Sequence, residues 1–267
     1  MTLTEEASSC TDKISVVVAH PGHELMVHHL IERCRPVYFC LTDGSGGGAK
    51  SRVESTTRFL RQVGGTPGAI YGRFSDREIY RLLLDRRVEV FARLADELAK
   101  NLMDRGIECV AGDAMEGFNP AHDICRALID RAVAIVQERT GRVLQNYEFA
   151  VHNDPAPIAA EATIRLELDE AALQRKIAAA MAYPEMQGEV RAALNKFGKQ
   201  SFAVEYLRPA TTSAMLDKFE ITPPRYELLG EIRVSEGRYR EIVRYREHLF
   251  PVFAALGVTT HKEQWTT

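Results

Sequence analysis

Two short apolar runs, each ending in a polar, turn-forming loop, constrain this chain more than anything else in it. Ile14–Ala19 (ISVVVA) and Val37–Thr42 (VYFCLT) are largely apolar and rich in β-branched and aromatic residues. Runs of this kind, with little polar alternation, suit strands buried on both faces of a parallel sheet. The first runs into His20-Pro21-Gly22-His23-Glu24, the second into Asp43-Gly44-Ser45-Gly46-Gly47-Gly48. Between and beyond them the pattern turns helical, over His23–Arg33 and from about Ser51 to Gln62, where Gly64-Gly65 stops it.

The alternation continues. Ala69–Tyr71 reads as a short third strand. Ser75–Arg105 is a long helical stretch, one helix or two, with Ser75 and Glu78 spaced as a capping box and Gly106 as the stop. Ile107–Ala111 (IECVA) is the next buried strand. A loop over Gly112–Pro120 leads to a helix from about His122 to Glu138. Strand–helix alternation predicts an α/β fold, a Rossmann-like, mostly parallel doubly wound sheet with right-handed crossovers. Past residue 150 the character changes. Tyr147–His152, Thr163–Leu168 and Phe202–Tyr206 read as strands. Asp169–Ala182, Glu189–Phe197 and Tyr239–Leu256 read as helices, the last broken or kinked at Pro251. One domain is expected over 1–267, with 1–12 a disordered lead-in and about 150–267 an α+β cap over the sheet edge.

Composition narrows the function classes. The 267 residues are 45% hydrophobic and 27% charged, with a net charge of −3. That balance argues against a nucleic-acid binder, which needs a concentrated basic surface. No apolar run approaches the ~20 residues of a membrane span. The polar, acidic start shows no signal-peptide pattern, and five cysteines without a CxxC pair read as reduced thiols, so a cytoplasmic protein is expected. The partner expected is a small molecule, with no nucleic acid and no membrane.

In an open α/β sheet, ligands bind beyond the carboxyl ends of the strands. The loops leaving those ends carry His20, His23, Glu24, Asp43, Asp113, Glu116, Asn119, His122 and Asp123. Two histidines three residues apart across a Pro-Gly turn can converge on one metal ion, and imidazole suits zinc, iron, copper or nickel. The same turn also serves simply to start a helix, with an incidental histidine pair. His122, at a helix start, gains weight as a ligand only from its expected nearness to the other two. The Gly-rich loop is no Walker loop and no GxGxxG fingerprint; a flexible cover over the site explains it better than a phosphate cradle followed by Lys50 and Arg52. Arg73 and Asp76 sit where they could reach a substrate, although capping explains Asp76 equally well. His28, His29 and His152 read as packing or surface residues.

Ala19-His20-Pro21-Gly22-His23-Glu24, Leu41-Thr42-Asp43-Gly44 and Asn119-Pro120-Ala121-His122 together resemble the signature of the LmbE-like (PIG-L) zinc-dependent N-acetylglucosamine deacetylases. In that family a strand ends in A-H-P-D-D-E, a second in L-T-D-G, and a later H-P-D-H opens a helix. Order, spacing and strand context agree across residues 14–135. The resemblance implies a zinc site formed by His20, His23 and His122, with a histidine at position 23 in place of the family's aspartate. The family's general base maps onto Gly22, which cannot take a proton, and two further polar positions map onto Asn119 and Ala121.

Three readings are therefore open. In the first the chain is a zinc-dependent amide hydrolase or deacetylase acting on an N-acylated amino sugar or related small metabolite. Three neutral ligands leave the ion's charge uncompensated and favour ionisation of bound water. Asp43, Glu24, Asp113 or Glu116 would take over the lost base, and Asn119 would help polarise the carbonyl. In the second the scaffold serves another metal-assisted reaction. In the third it is a catalytically reduced protein that binds a sugar or metabolite.

Overall fold

Strand β1 (Ile14–Val18) pairs in parallel with β2 (Val37–Thr42) on one side and with β4 (Cys109–Asp113) on the other. Beyond β2 lies β3 (Thr66–Phe74), and beyond β4 lies β5 (Gln145–Phe149), both parallel. The edge past β5 is extended by β7 (Val204–Pro209) and then β6 (Ile164–Glu167), each pairing antiparallel. The seven-stranded sheet thus runs β3-β2-β1-β4-β5-β7-β6. This computed structural model describes residues 13–46, 50–151 and 156–260. The expected lead-in at 1–12, Cys10, Gly47, Gly48 and His152 lie outside the described residues.

Helices cover both faces, because β1, β2 and β4 send apolar side chains both ways. Val17, Phe39 and Val110 pack against α3 (Asp76–Leu84), α4 (Val88–Asp104), α5 (Pro120–Thr140), α9 (Thr212–Ile221) and α11 (Phe250–Ala255). Val16, Val18, Tyr38 and Ala111 pack on the other face against α1 (His28–Cys34), α2 (Val53–Val63) and α7 (Glu170–Met181). The remaining helices are α6 (Ala156–Glu161), α8 (Gln187–Phe197) and α10 (Arg225–Ser235). The fold is the expected α/β, mostly parallel, doubly wound arrangement of Rossmann-like type. Among the described residues no helix is long and apolar enough to cross a membrane.

Several elements differ from the sequence reading. No helix starts at His23. The chain closes a 3-10 turn over His23–Leu25 through Leu25 N–H to Gly22 O and Met26 N–H to His23 O, and α1 begins only at His28. Strand β3 is nine residues long rather than three; Pro67, Gly68 and Gly72 hide it in the sequence, and its register against β2 shifts twice. Of the two forms open to the stretch from Ser75, the structure has two helices, with the expected Ser75–Glu78 capping box formed and the break at Arg86, whose φ is 49°. The last helical stretch is shorter than expected. A π-type turn over Tyr245–Leu249 runs into α11, and Pro251 sits in its first turn, where no donor is needed. The part past 150 does not simply cap the sheet; two of its strands extend it.

Candidate functional site

Strands β1 and β4 are neighbours whose following crossovers leave in opposite directions, toward β2 and toward β5. That makes the crevice at their carboxyl ends the topological switch point. His20 follows β1, His23 lies in the 3-10 turn, and His122 lies in the first turn of α5. Their ring centres stand 5.2 Å (His20–His23), 4.9 Å (His20–His122) and 4.6 Å (His23–His122) apart, all edge to face. The structure thus brings His122 to two histidines about a hundred residues earlier in the sequence.

Hydrogen bonds orient the rings. His20 Nδ1 lies 2.7 Å from Thr42 Oγ1 and 2.8 Å from Asp76 Oδ1. His23 Nδ1 lies 2.8 Å from Asp113 Oδ2. Asn119 caps α5, accepting from Ala121 N–H through Oδ1. That fixes the amide, so Nδ2 points at His20 Nε2, 3.2 Å away. With the amide as donor, Nε2 of His20 is the acceptor and Nδ1 carries the proton. Burial pushes the Asp76 carboxyl up, but hydrogen bonds from His20, Thr42 and Gly46 N–H outweigh it and hold it well below the usual range.

Position 22 is strained and crowded for a side chain. Gly22 has φ 107°, and a Cβ there would stand 3.3 Å from the Met186 sulfur. Met186 comes from the turn before α8, and its sulfur also accepts from Arg52 Nη1 at 3.2 Å. The Arg52 side chain runs beside Gly44, whose own Cβ would meet Pro21 at 2.9 Å. The same turn is anchored by Tyr183, whose hydroxyl meets Thr56 at 2.8 Å, and by Glu185, which accepts from Ser55 at 2.8 Å.

Other expected site residues are engaged elsewhere. Glu24 is fully buried and accepts from Gly22 N–H, Tyr38 O–H and Thr56 O–H at 2.6–2.7 Å. Burial raises its carboxyl above the usual value, against the lowering effect of those donors. It therefore braces the first loop from the core instead of facing the histidines. Asp113 is also fully buried, tied to His23 and to Ala19 N–H. Glu116 accepts from Val151 N–H. Asp123 accepts from the N–H groups of Glu116 and Gly117, and burial raises its pKa to about 7. Asp43 holds its own loop, accepting from Ser45 N–H, while its backbone joins Phe74 and Arg52. Arg73 pairs with Glu97. Sequence reasoning missed Thr42 and Met186 and left Asp76 undecided; no spacing rule links 42 or 76 to 20, since a parallel sheet does that.

Among the described residues no group of three or more His, Cys, Asp or Glu side chains could hold a metal ion as the side chains stand, and His20 gives its inner nitrogen to Asn119. The spacing of the rings nevertheless suits an ion. Imidazoles bound to one zinc through a nitrogen at ~2.1 Å and tetrahedral angles have ring centres roughly 5 Å apart. Carboxylates beside the outer nitrogens of two rings are the usual outer shell of metal-bound histidine. Were the three rings to turn toward one ion, His20, His23 and His122 would be the residues to hold it.

No protein-family model matches the chain, and no curated protein matches it. Among solved structures it is similar to the conserved protein TT1542 from Thermus thermophilus. The identity is 17% and the TM-score 0.45, over 74% of this chain and 92% of that one.

Proposed function

We propose that this chain is a metal-dependent C–N hydrolase, acting on an N-acylated amino sugar or related small metabolite at the three-histidine crevice. The observation that carries this reading is the triangle of His20, His23 and His122, 4.6–5.2 Å between ring centres, at the switch point of the sheet. The resemblance of the three loop segments to LmbE-like deacetylases supports the same reaction class. A zinc ion held by the three imidazoles would supply Lewis acidity toward the acyl carbonyl and toward water. The chain's own groups do the rest. Asn119 Nδ2, aimed into the crevice by its capping bond, is a donor for the acyl oxygen. Arg52, held by Met186 beside Gly44, is a donor for substrate hydroxyl or anionic oxygens. Met186 itself excludes water beside Gly22.

The alternative, a binding protein with reduced catalysis, draws on one observation. Gly22 brings no carboxylate, and of the replacements expected from sequence Glu24 is buried under three donors, while Asp113 is buried and held through Oδ2 by Ala19 N–H and the ring of His23. One experiment decides between them. Protein purified without chelators is analysed for metal, and wild type and His122→Ala are then assayed with zinc for acetate release from N-acetylglucosamine derivatives. We expect about one transition metal per chain, acetate release by wild type, and loss of both in His122→Ala. Metal without hydrolysis favours the binding reading, and no metal in wild type removes the metal-dependent reading altogether.

A further inference from the structure

We infer that Asp113 is a positioning residue: it holds the His23 ring by Nδ1 so that Nε2 is left as the lone pair of a ring that stands beside His20 and His122. The inference rests on the metal-dependent reading of the site for its consequence, although the pairing itself does not. Asp113 ends β4, opposite the end of β1, and is fully buried. One oxygen, Oδ2, accepts both from Ala19 N–H at 2.8 Å and from His23 Nδ1 at 2.8 Å. A single atom thus fixes the backbone just before His20 and the ring three residues after it. A carboxylate accepts only, so Nδ1 carries a proton, and in the neutral imidazole Nε2 is then the lone pair. The ring so held lies 5.2 Å and 4.6 Å from its two neighbours, centre to centre.

The second oxygen, Oδ1, is buried without a hydrogen-bond partner among the described residues. A buried carboxylate left half satisfied is costly unless a positive charge stands nearby. No lysine or arginine is paired with Asp113 among the described ion pairs; His23 is its partner there. A dication one ring away would offset that charge, and the charge would in turn make His23 a better ligand. Asp113 is thereby moved from the proton-transfer role expected from sequence to one exerted through His23.

The test uses zinc alone as the probe, titrated against a competing chelator, on wild type, Asp113→Asn, His23→Ala and the double variant. Histidine 15N spectra of the metal-free proteins supply a readout independent of zinc. We expect wild-type His23 as the Nδ1–H tautomer and a mixture in Asp113→Asn. Zinc affinity should fall on the order of 10- to 100-fold in Asp113→Asn. In the His23→Ala background the same substitution should change zinc affinity no further, whereas a merely structural role would still weaken it. A folded Asp113→Asn with undiminished affinity overturns the proposal, as does a wild-type His23 protonated on Nε2. If wild type binds no zinc, the metal reading fails and the tautomer alone decides the positioning. If Asp113→Asn does not fold, the wild-type tautomer decides in the same way.

Discussion

Gly22 shows how one residue sets the limits of the chemistry. Its φ of 107° strains any side chain there, and the Met186 sulfur over it would have to give way. Gly22→Asp should therefore cost ~1 kcal/mol for the backbone alone, with more from the displaced Met186, and should gain no acetate release. Urea unfolding beside the acetate assay checks both; a stable, more active Gly22→Asp would mean that the turn readily accepts a base. His28 makes a separate case. It is buried against Phe59, their rings 5.5 Å apart, and burial lowers its pKa below the ordinary 6.5, with Glu205 and Glu32 opposing and Lys176 and His29 assisting. The unfolded chain then takes up the proton first as pH falls. Stability should be intact above 6.5, decline below it, and level off once folded His28 is protonated as well. His28→Phe should flatten that part of the profile, which urea midpoints between about pH 7.5 and about pH 5 would reveal; an unchanged slope would rule His28 out as its source.

Among the longer helices, α8 differs in that none of its residues is buried and Phe197 is exposed. Its fixed end is the turn before it, where Tyr183, Glu185 and Met186 reach α2 and the first loop. Helices with little buried surface open at low cost. Amide hydrogen exchange should be faster along α8 than along α5, which is buried over most of its length, and equal protection of the two would refute this. The same contrast explains what was legible in the sequence. Strands β1 and β2 and the cap of α3 were readable because their signals are local: apolar runs and a Ser–Glu spacing. Helices α9 and α10 were not, since α9 buries only Thr212, Leu216 and Phe219 and α10 only Tyr226 and Gly230, too few for an apolar stripe. In the site, the three histidines could be read from strand-end loops. The side to which Glu24 turns could not, because Tyr38 and Thr56, which draw it inward, are set by packing.

For the molecule as a whole, the part past residue 150 carries a buried ion pair whose carboxylate also binds the first crossover. Lys176 of α7 meets Glu205 of β7 at 2.8 Å, and Glu205 also accepts from His29 and Leu30 N–H at the start of α1. Lys176→Met would leave that carboxylate without its cation and should cost about 3–5 kcal/mol. Denaturant unfolding measures it, and a shift within error would show that Glu205 is compensated otherwise. The histidine triangle has a related consequence for the order of events in folding. His20 and His23 are neighbours in any conformation, but His122 joins them only after β1 has paired with β4 across some ninety residues. An ion that needs all three can be captured only by a chain whose central sheet is already closed, so uptake would mark the completion of that step, and the bound ion would draw the equilibrium toward the folded chain.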